Sequence, residues 1–347
     1  MKRPLLVLGI ETSCDDSCVA IVNERFEILS NVVSSQADVH RAFGGIVPEV
    51  ASRKHLEVLP WVLHRALEEA GVTLEDIDVL AVTKGPGLLG SLLMGMGLAK
   101  ALAFALGKPL VGVNHLEGHI FAIRLEYPEV SPPFVALIVS GGHTELFAVS
   151  DWGKYTLLGR TRDDAAGEAY DKVARLLGLG YPGGPVIDQL SKNGNGGRFS
   201  FRSGLEDEET FDFSFSGLKT AVARTLTQCT PEERKDTSLL ADLAASFQES
   251  IVRSLVKKAV KALEFTGYRL LVVGGGVAAN HRLREALREE GDRKGIQVFF
   301  PSQRLCTDNA AMIAACGLFH FLRGERDDLG IDPIPQLSLG EGYAPLG

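Results

Sequence analysis

Leu5-Leu6-Val7-Leu8-Gly9-Ile10-Glu11-Thr12-Ser13-Cys14-Asp15-Asp16-Ser17-Cys18-Val19-Ala20-Ile21-Val22 and Phe134-Val135-Ala136-Leu137-Ile138-Val139-Ser140-Gly141-Gly142-His143-Thr144-Glu145-Leu146-Phe147-Ala148-Val149 follow one pattern. Each is an apolar strand, a short polar turn and an apolar return strand. A third strand follows each hairpin, Ile28 to Val33 in one case and Tyr155 to Leu158 in the other. Alternating elements come next: Ile77 to Val82, Leu88 to Leu106 and Leu110 to Val113 in the first half, Leu270 to Val273, Arg282 to Glu290 and Gln297 to Phe300 in the second. A diverged duplication of a three-strand meander with later β and α elements predicts two α/β domains facing a cleft. The expected division is 1–130, holding the 11–17 turn and a helix over 115–126, and 131–347, since Glu126 to Pro133 carries Tyr-Pro and Ser-Pro-Pro. Lys192 to Asp212, rich in Gly, Asn and acidic residues, reads as an insertion or mobile loop.

The 347 residues are enough for two domains of ordinary size, and 45% hydrophobic with 23% charged content is that of a globular chain. Leu5 to Ile10 is too short for a signal sequence, and Gly85 to Ala99 stops at Lys100, so the expectation is a cytoplasmic protein with no membrane partner. Five cysteines without secretory context argue for reduced thiols, with Cys14 and Cys18 as small buried groups. A net charge of −8 does not advertise nucleic-acid binding, so an RNA substrate would need a local basic patch or a partner.

Asn114-His115-Leu116-Glu117-Gly118-His119 follows a strand and opens a helix, which puts two imidazoles on one face, four residues apart. A transition-metal site needs a third ligand, and Asp308 in Cys306-Thr307-Asp308-Asn309 is the candidate, although Asp or Asn before a helix is also an ordinary N-cap. Two imidazoles and one carboxylate suit Zn²⁺ or Fe²⁺. A metallo-endopeptidase of the His-Glu-x-x-His type would carry its glutamate beside the first histidine. Glu117 lies one residue later, about 100° further round the helix.

Two turns, Glu11 to Asp16 and Ser140 to Thr144, can each build an anion nest or be plain hairpin turns. Gly274 to Asn280 loosely fits a dinucleotide fingerprint, but the next strand ends in Pro301 without the acidic residue. A glycine turn admitting an adenine or ribose fits better, with Asn280 as ligand or N-cap. Gly85 to Ser91 has glycines but no Walker lysine, so its small residues suit close helix packing.

Gly9 to Asp16, Asn114 to His119, Val139 to Thr144, Gly-Glu-Ala-Tyr-Asp-Lys (Gly167 to Lys172), Tyr-Pro-Gly-Gly-Pro (Tyr181 to Pro185) and Gly274 to Asn280 together closely resemble the tRNA adenosine threonylcarbamoyltransferase family, formerly labelled O-sialoglycoprotein endopeptidase. The similarity runs from about Leu5 to Phe319. It implies an actin-like, sugar-kinase-like ATPase fold of two duplicated α/β domains. It also implies transfer of a threonylcarbamoyl group from threonylcarbamoyl-AMP to N6 of the adenosine next to the anticodon, in tRNAs reading codons that start with A. By carry-over His115, His119 and Asp308 bind one Fe²⁺ or Zn²⁺, and Ile138, Val139, Ser140, Gly141 and Gly142 line the substrate site. Asp171, Gly184, Asp188 and Asn280 hold the ribose and base of an ATP- or AMP-type nucleotide, to which Mg²⁺ is an optional companion, and Glu11 lies near the reacting phosphate end. The implied partners are tRNA, a degenerate paralogue in a heterodimer, a P-loop ATPase and a threonylcarbamoyl-AMP synthase. Arg160, Arg162, Arg198 and Arg202 are local candidates for RNA contact or solvated surface. The competing readings are a small-molecule kinase or an ATP-driven switch on the same fold, and, more weakly, a metallo-endopeptidase.

Overall fold

The computed structural model describes residues 3–340. The chain up to Val130 and the segment Thr307–Leu339 make one compact unit, and Ser131–Cys306 makes the body of a second. In the first, strands β1 (Leu6–Glu11), β2 (Asp16–Asn23), β3 (Ile28–Ser35), β4 (Val79–Gly85) and β5 (Leu110–Asn114) form a sheet in the order β3-β2-β1-β4-β5. The second holds β6 (Phe134–Val139), β7 (Thr144–Asp151), β8 (Lys154–Arg160), β9 (Leu270–Gly274) and β10 (Gln297–Phe299), in the order β10-β9-β6-β7-β8. Strand for strand, both sheets are the same: an antiparallel meander extended by two parallel strands beside its first member. The duplication read from the two hairpins is therefore present in the topology.

All six residues of β1 are buried, as expected of a strand covered on both faces. Leu6, Leu8 and Ile10 join Leu59, Val62 and Ala66 of the helix Pro48–Ala70 and Met96 of the helix Leu89–Leu106. The alternate face receives the helix Ala310–Leu322, and small residues make the fit: a Cβ on Gly9 would lie 2.3 Å from the Ala310 carbonyl oxygen, and one on Gly317 2.4 Å from Ala81 Cβ. That packing corrects the expected division, which put all of 131–347 in the second domain. The tail also straps the edge strand β5, where Gly112 N donates to Asp327 Oδ2 at 2.7 Å.

The uncharged, glycine-rich stretch from Gly85 ends at Lys100, and the helix it enters continues past that residue. Its helix runs to Leu106, and by length and composition it alone among the described residues reaches a membrane span. Ser91, Leu92, Gly95, Met96, Ala99 and Ala103 nevertheless give it a face buried within the first unit. Close packing is the use of Gly90 and Gly95, since a Cβ on Gly90 would lie 2.2 Å from Ser52 Oγ and one on Gly95 2.3 Å from Thr12 Oγ1.

In the second unit the 192–212 segment is anchored, not mobile. Arg198 pairs with Asp242 at 2.7 Å, Arg253 with Glu206 at 2.6 Å, and Lys258 Nζ donates to the carbonyls of Glu208 and Thr210 at 3.1 and 2.7 Å. All three partners lie on the long helix Thr237–Thr266, and Phe201, Phe211, Phe213 and Phe215 are buried beside it.

Candidate metal centre and nucleotide pocket

Strand β5 ends at Asn114, whose side-chain oxygen accepts from Leu116 N at 2.9 Å and Glu117 N at 3.4 Å, and so starts the helix His115–Phe121. Every residue of that helix is buried. On one of its faces the His115 and His119 rings meet edge to face, 4.7 Å between centroids. The N-cap of the helix Ala310–Leu322 is Asn309, whose Oδ1 accepts from Met312 N at 3.1 Å. Asp308 is thereby released from capping, and its Oδ1 sits 3.6 Å from His115 Nε2 and 3.3 Å from His119 Nε2. The three ligand-type atoms lie within 4.8 Å of one another.

Two observations fit this trio to a cation. First, both ring nitrogens of His119 are buried without a hydrogen bond to any described residue, the Asp308 contact being close but misaligned, and orphaned buried polar atoms of this kind call for a partner. Second, the surroundings favour positive charge. Burial works against a charged His115, yet Glu11 and Asp308 push it up to about 9. For His119 burial wins and the pKa falls. A divalent ion answers the same electrostatic preference with its own charge.

Glu11 is completely buried beneath His115. Its Oε2 lies 2.9 Å from His115 Nδ1 and accepts from Thr83 Oγ1 at 2.6 Å, and its Oε1 accepts from the Ser13 amide. Burial opposes its ionisation, but the His115 charge and hydrogen bond hold the carboxyl below its ordinary value. Both its oxygens are thus committed to His115, Thr83 and the 11–13 turn. Glu117 points away from the trio: its Oε2 meets His320 Nε2 at 2.9 Å.

In the second unit the remaining candidates are linked in a chain of contacts. Ser140 O accepts from Gly167 N at 3.1 Å, docking the β6–β7 turn on the helix Ala166–Leu176. Asp171 on that helix accepts from Gly183 N at 2.7 Å at the start of the helix Gly183–Ser191. Asp188, further along, lies 2.5 Å from His281 Nδ1. Asn280 caps the helix His281–Lys294 through Leu283 N at 2.9 Å, and its amide donates to Gln248 Oε1 at 2.7 Å. Gly275, at φ 90°, closes the chain, because a Cβ there would lie 2.4 Å from the Val139 carbonyl oxygen. A Cβ on Gly141, Gly142 or Gly184 would meet nothing within 4 Å, so these three backbones border open space. Asp171 and Asp188 are thus both engaged and not solvated carboxylates. Sequence reading missed Thr83, Gln248 and His281. Only His281 carried a signal, as a polar residue directly after Asn280.

Of the arginines proposed for RNA contact, Arg162 lies 2.5 Å from buried Asp212 and Arg198 is paired with Asp242, while Arg202 reaches Asp207 only at 3.7 Å.

Duplicated five-stranded sheets and a converging His-His-Asp trio define an actin-like ATPase fold carrying a metal-type centre. Solved structures agree on the fold: component A of (R)-2-hydroxyglutaryl-CoA dehydratase from Acidaminococcus fermentans matches with TM-score 0.53 at 16% identity, covering 91% of this chain and 98% of that one. T. kodakarensis HypF matches with TM-score 0.62 at 14% identity, over 93% of this chain and 48% of that one. Residues 27–315 match the family described as tRNA N6-adenosine threonylcarbamoyltransferase. Proteins of that name from Clostridium kluyveri and Clostridium botulinum strain 657 are 50% and 52% identical over 342 and 341 residues, each match covering 98% of this chain and 100% of the relative. The chain belongs to the tRNA N6-adenosine threonylcarbamoyltransferase family.

Proposed function

We propose that this chain transfers a threonylcarbamoyl group from threonylcarbamoyl-AMP to N6 of the adenosine beside the anticodon, in tRNAs that read codons beginning with A. The observation that carries the reading is the His115–His119–Asp308 trio, two buried imidazoles and one partly exposed carboxylate, in a chain half identical to proteins named for that transfer. In the reaction N6 attacks the carbamoyl carbon, the carbon–oxygen bond to the phosphate breaks, AMP leaves with the bonding pair, and one N6 proton goes to solvent.

His115, His119 and Asp308 would hold an iron or zinc ion, which would supply positive charge for the donor's carbonyl or phosphate. Glu11, itself fixed by Thr83, keeps His115 Nδ1 occupied so that Nε2 faces Asp308. Gly141 and Gly142 of the β6–β7 turn offer backbone amides to developing negative charge, and the open space over them admits the donor. Ile138 and Val139 floor that site. Asp171, by holding Gly183, and Gly184, by its bare backbone, shape the ribose pocket, while Asp188 and Asn280 address ribose and base.

The −8 charge supports an RNA grip shared with a paralogous subunit and a P-loop ATPase, with a separate synthase supplying the donor and the whole acting in the cytoplasm where tRNA is found. Among the four candidate arginines we favour Arg160 and Arg202 for RNA contact, because Arg162 and Arg198 are held by Asp212 and Asp242. The test is nucleoside mass spectrometry of an unmodified tRNA transcript incubated with this chain, its partners and threonylcarbamoyl-AMP. A metal-dependent threonylcarbamoyladenosine peak is the expected result. No peak, with metal bound and partners present, overturns the reading in favour of a kinase or an ATP switch.

A further inference from the structure

The helix His115–Phe121 carries a second group of ligating side chains, on the side away from the trio. Residue 117 stands about 200° round from 115 and 160° from 119, so its carboxylate projects opposite the two imidazoles. There Glu117 meets Cys316 and His320, which are one turn apart on one face of the helix Ala310–Leu322. One atom from each of the three lies within 4.8 Å of the others. Glu117 and Cys316 are buried, and His320 is half-buried. His320 Nδ1 lies 2.6 Å from Glu325 Oε2, which turns Nε2 toward Glu117 at 2.9 Å. A carboxylate on the far nitrogen is how a ligating imidazole is held in tautomer and orientation. Arg323 Nε in turn donates to Glu325 at 3.1 Å, so the orienting carboxylate is itself fixed.

This cluster borders a cavity of about 570 Å³, whose walls include Lys84, Glu117, His320, Glu325 and Asp327. Cys316 is fully buried and is not among its lining residues. Three protein ligands converge, one of them a sulfur, and one side is open to the cavity.

We propose that Glu117, Cys316 and His320 form a second metal site, for Zn²⁺, with the cavity supplying the fourth ligand. Thiolate, imidazole and carboxylate together suit zinc, at four-coordinate geometry with one position for water or a small ligand. Binding replaces the Cys316 S–H bond by a sulfur–zinc bond and releases that proton to solvent. The site ties the His115–Phe121 helix to the Ala310–Leu322 helix. Those same two helices present His115 and His119 on one side and begin just after Asp308 on the other, so the second ion acts as a brace for the first. The inference does not depend on which reaction the first site performs.

Sulfur makes the two centres distinguishable, because the trio of two histidines and an aspartate contains none. The full chain, stripped of metal, is titrated with Co²⁺ and then Zn²⁺, following bound equivalents and the near-ultraviolet thiolate-to-cobalt charge-transfer band. The wild type is expected to bind two equivalents and show the band. The double variant His115→Ala/His119→Ala should keep one equivalent and the band. Cys316→Ser should keep one equivalent and lose the band, and His320→Gln, which retains a polar side chain, guards against a folding failure in the first. A single equivalent in the folded wild type overturns the proposal, as does a band that survives in Cys316→Ser.

Discussion

Glu11 Oε2 lies 2.9 Å from His115 Nδ1 although β1, which ends at Glu11, and the helix that begins at His115 are 104 residues apart in sequence. The parallel sheet makes that contact. β1, β4 and β5 are neighbours, so the ends of β1, β4 and β5 bring Glu11, Thr83 and Asn114 to one edge, and His115 follows at the next residue. Glu11→Gln keeps the size of the side chain and removes the charge that holds His115. Metal affinity should fall roughly 10- to 100-fold, the usual cost of losing such an orienting carboxylate, with little change in folding. Metal retained against graded chelator measures it; wild-type retention would show that His115 needs no orientation from Glu11.

Asn280 serves its helix and its neighbour Gln248 through different atoms, which allows its roles to be separated. Asn280→Ser keeps a capping oxygen for Leu283 N but loses the amide, so the melting temperature should stay close to wild type. On the proposal that its amide meets the nucleotide, affinity for AMP should drop about tenfold, the loss of one hydrogen bond. Asn280→Ala should lose both properties, with about 1 kcal/mol of stability going with the cap. Fluorescence titration with AMP beside thermal melts separates the two effects. Equal AMP affinity in all three proteins would remove Asn280 from the nucleotide pocket.

The two hairpins were legible because strands buried on both faces must be nearly continuous apolar runs, and Leu6 to Ile10 and Phe134 to Val139 are such runs. The His115/His119 pair was legible for a similar reason, its spacing being a property of one helix. Asp308 was not resolvable from its alternative, because residues 308 and 309 can each cap the same helix and only the structure puts the cap on Asn309. The acidic, glycine-rich 192–212 segment looked mobile by composition. Its cationic partners Arg253, Lys257, Lys258 and Lys261 stand on one helix some 50 residues later, a distance that no local window spans. Glu117, Cys316 and His320 escaped notice likewise, since the i, i+4 pair on the last helix is completed by a residue about 200 positions earlier.

Lys258 is the most telling of those anchors. It is fully buried, burial brings its pKa down to about 8, and its ammonium donates to two carbonyls of the segment, those of Glu208 and Thr210. Lys258→Met preserves the aliphatic packing while withdrawing both donors. A loss of about 1–3 kcal/mol is expected, together with faster cleavage between residues 192 and 212 under limited proteolysis. Unchanged cleavage would mean that the ion pairs of Arg198 and Arg253 suffice to hold the segment.

Glu145 begins the return strand of the second hairpin, paired with Arg160 across β7 and β8, and burial outweighs that arginine to push its carboxyl up to about 7 from an ordinary 4.5. The folded chain therefore binds this proton more tightly than the unfolded chain does. Below about pH 4.5 both states are protonated and Glu145 costs nothing. As pH rises toward 7 the unfolded state ionises first, so the contribution of Glu145 to stability declines through that window, by an amount on the order of 3 kcal/mol. Glu145→Gln removes the ionisation and should flatten this part of the profile, leaving the variant more stable than wild type above pH 7 and close to it at pH 4.5. Urea denaturation midpoints collected between pH 4.5 and 8 measure the difference directly. Parallel profiles for the two proteins would show that Glu145 ionises in the fold as easily as it does in water.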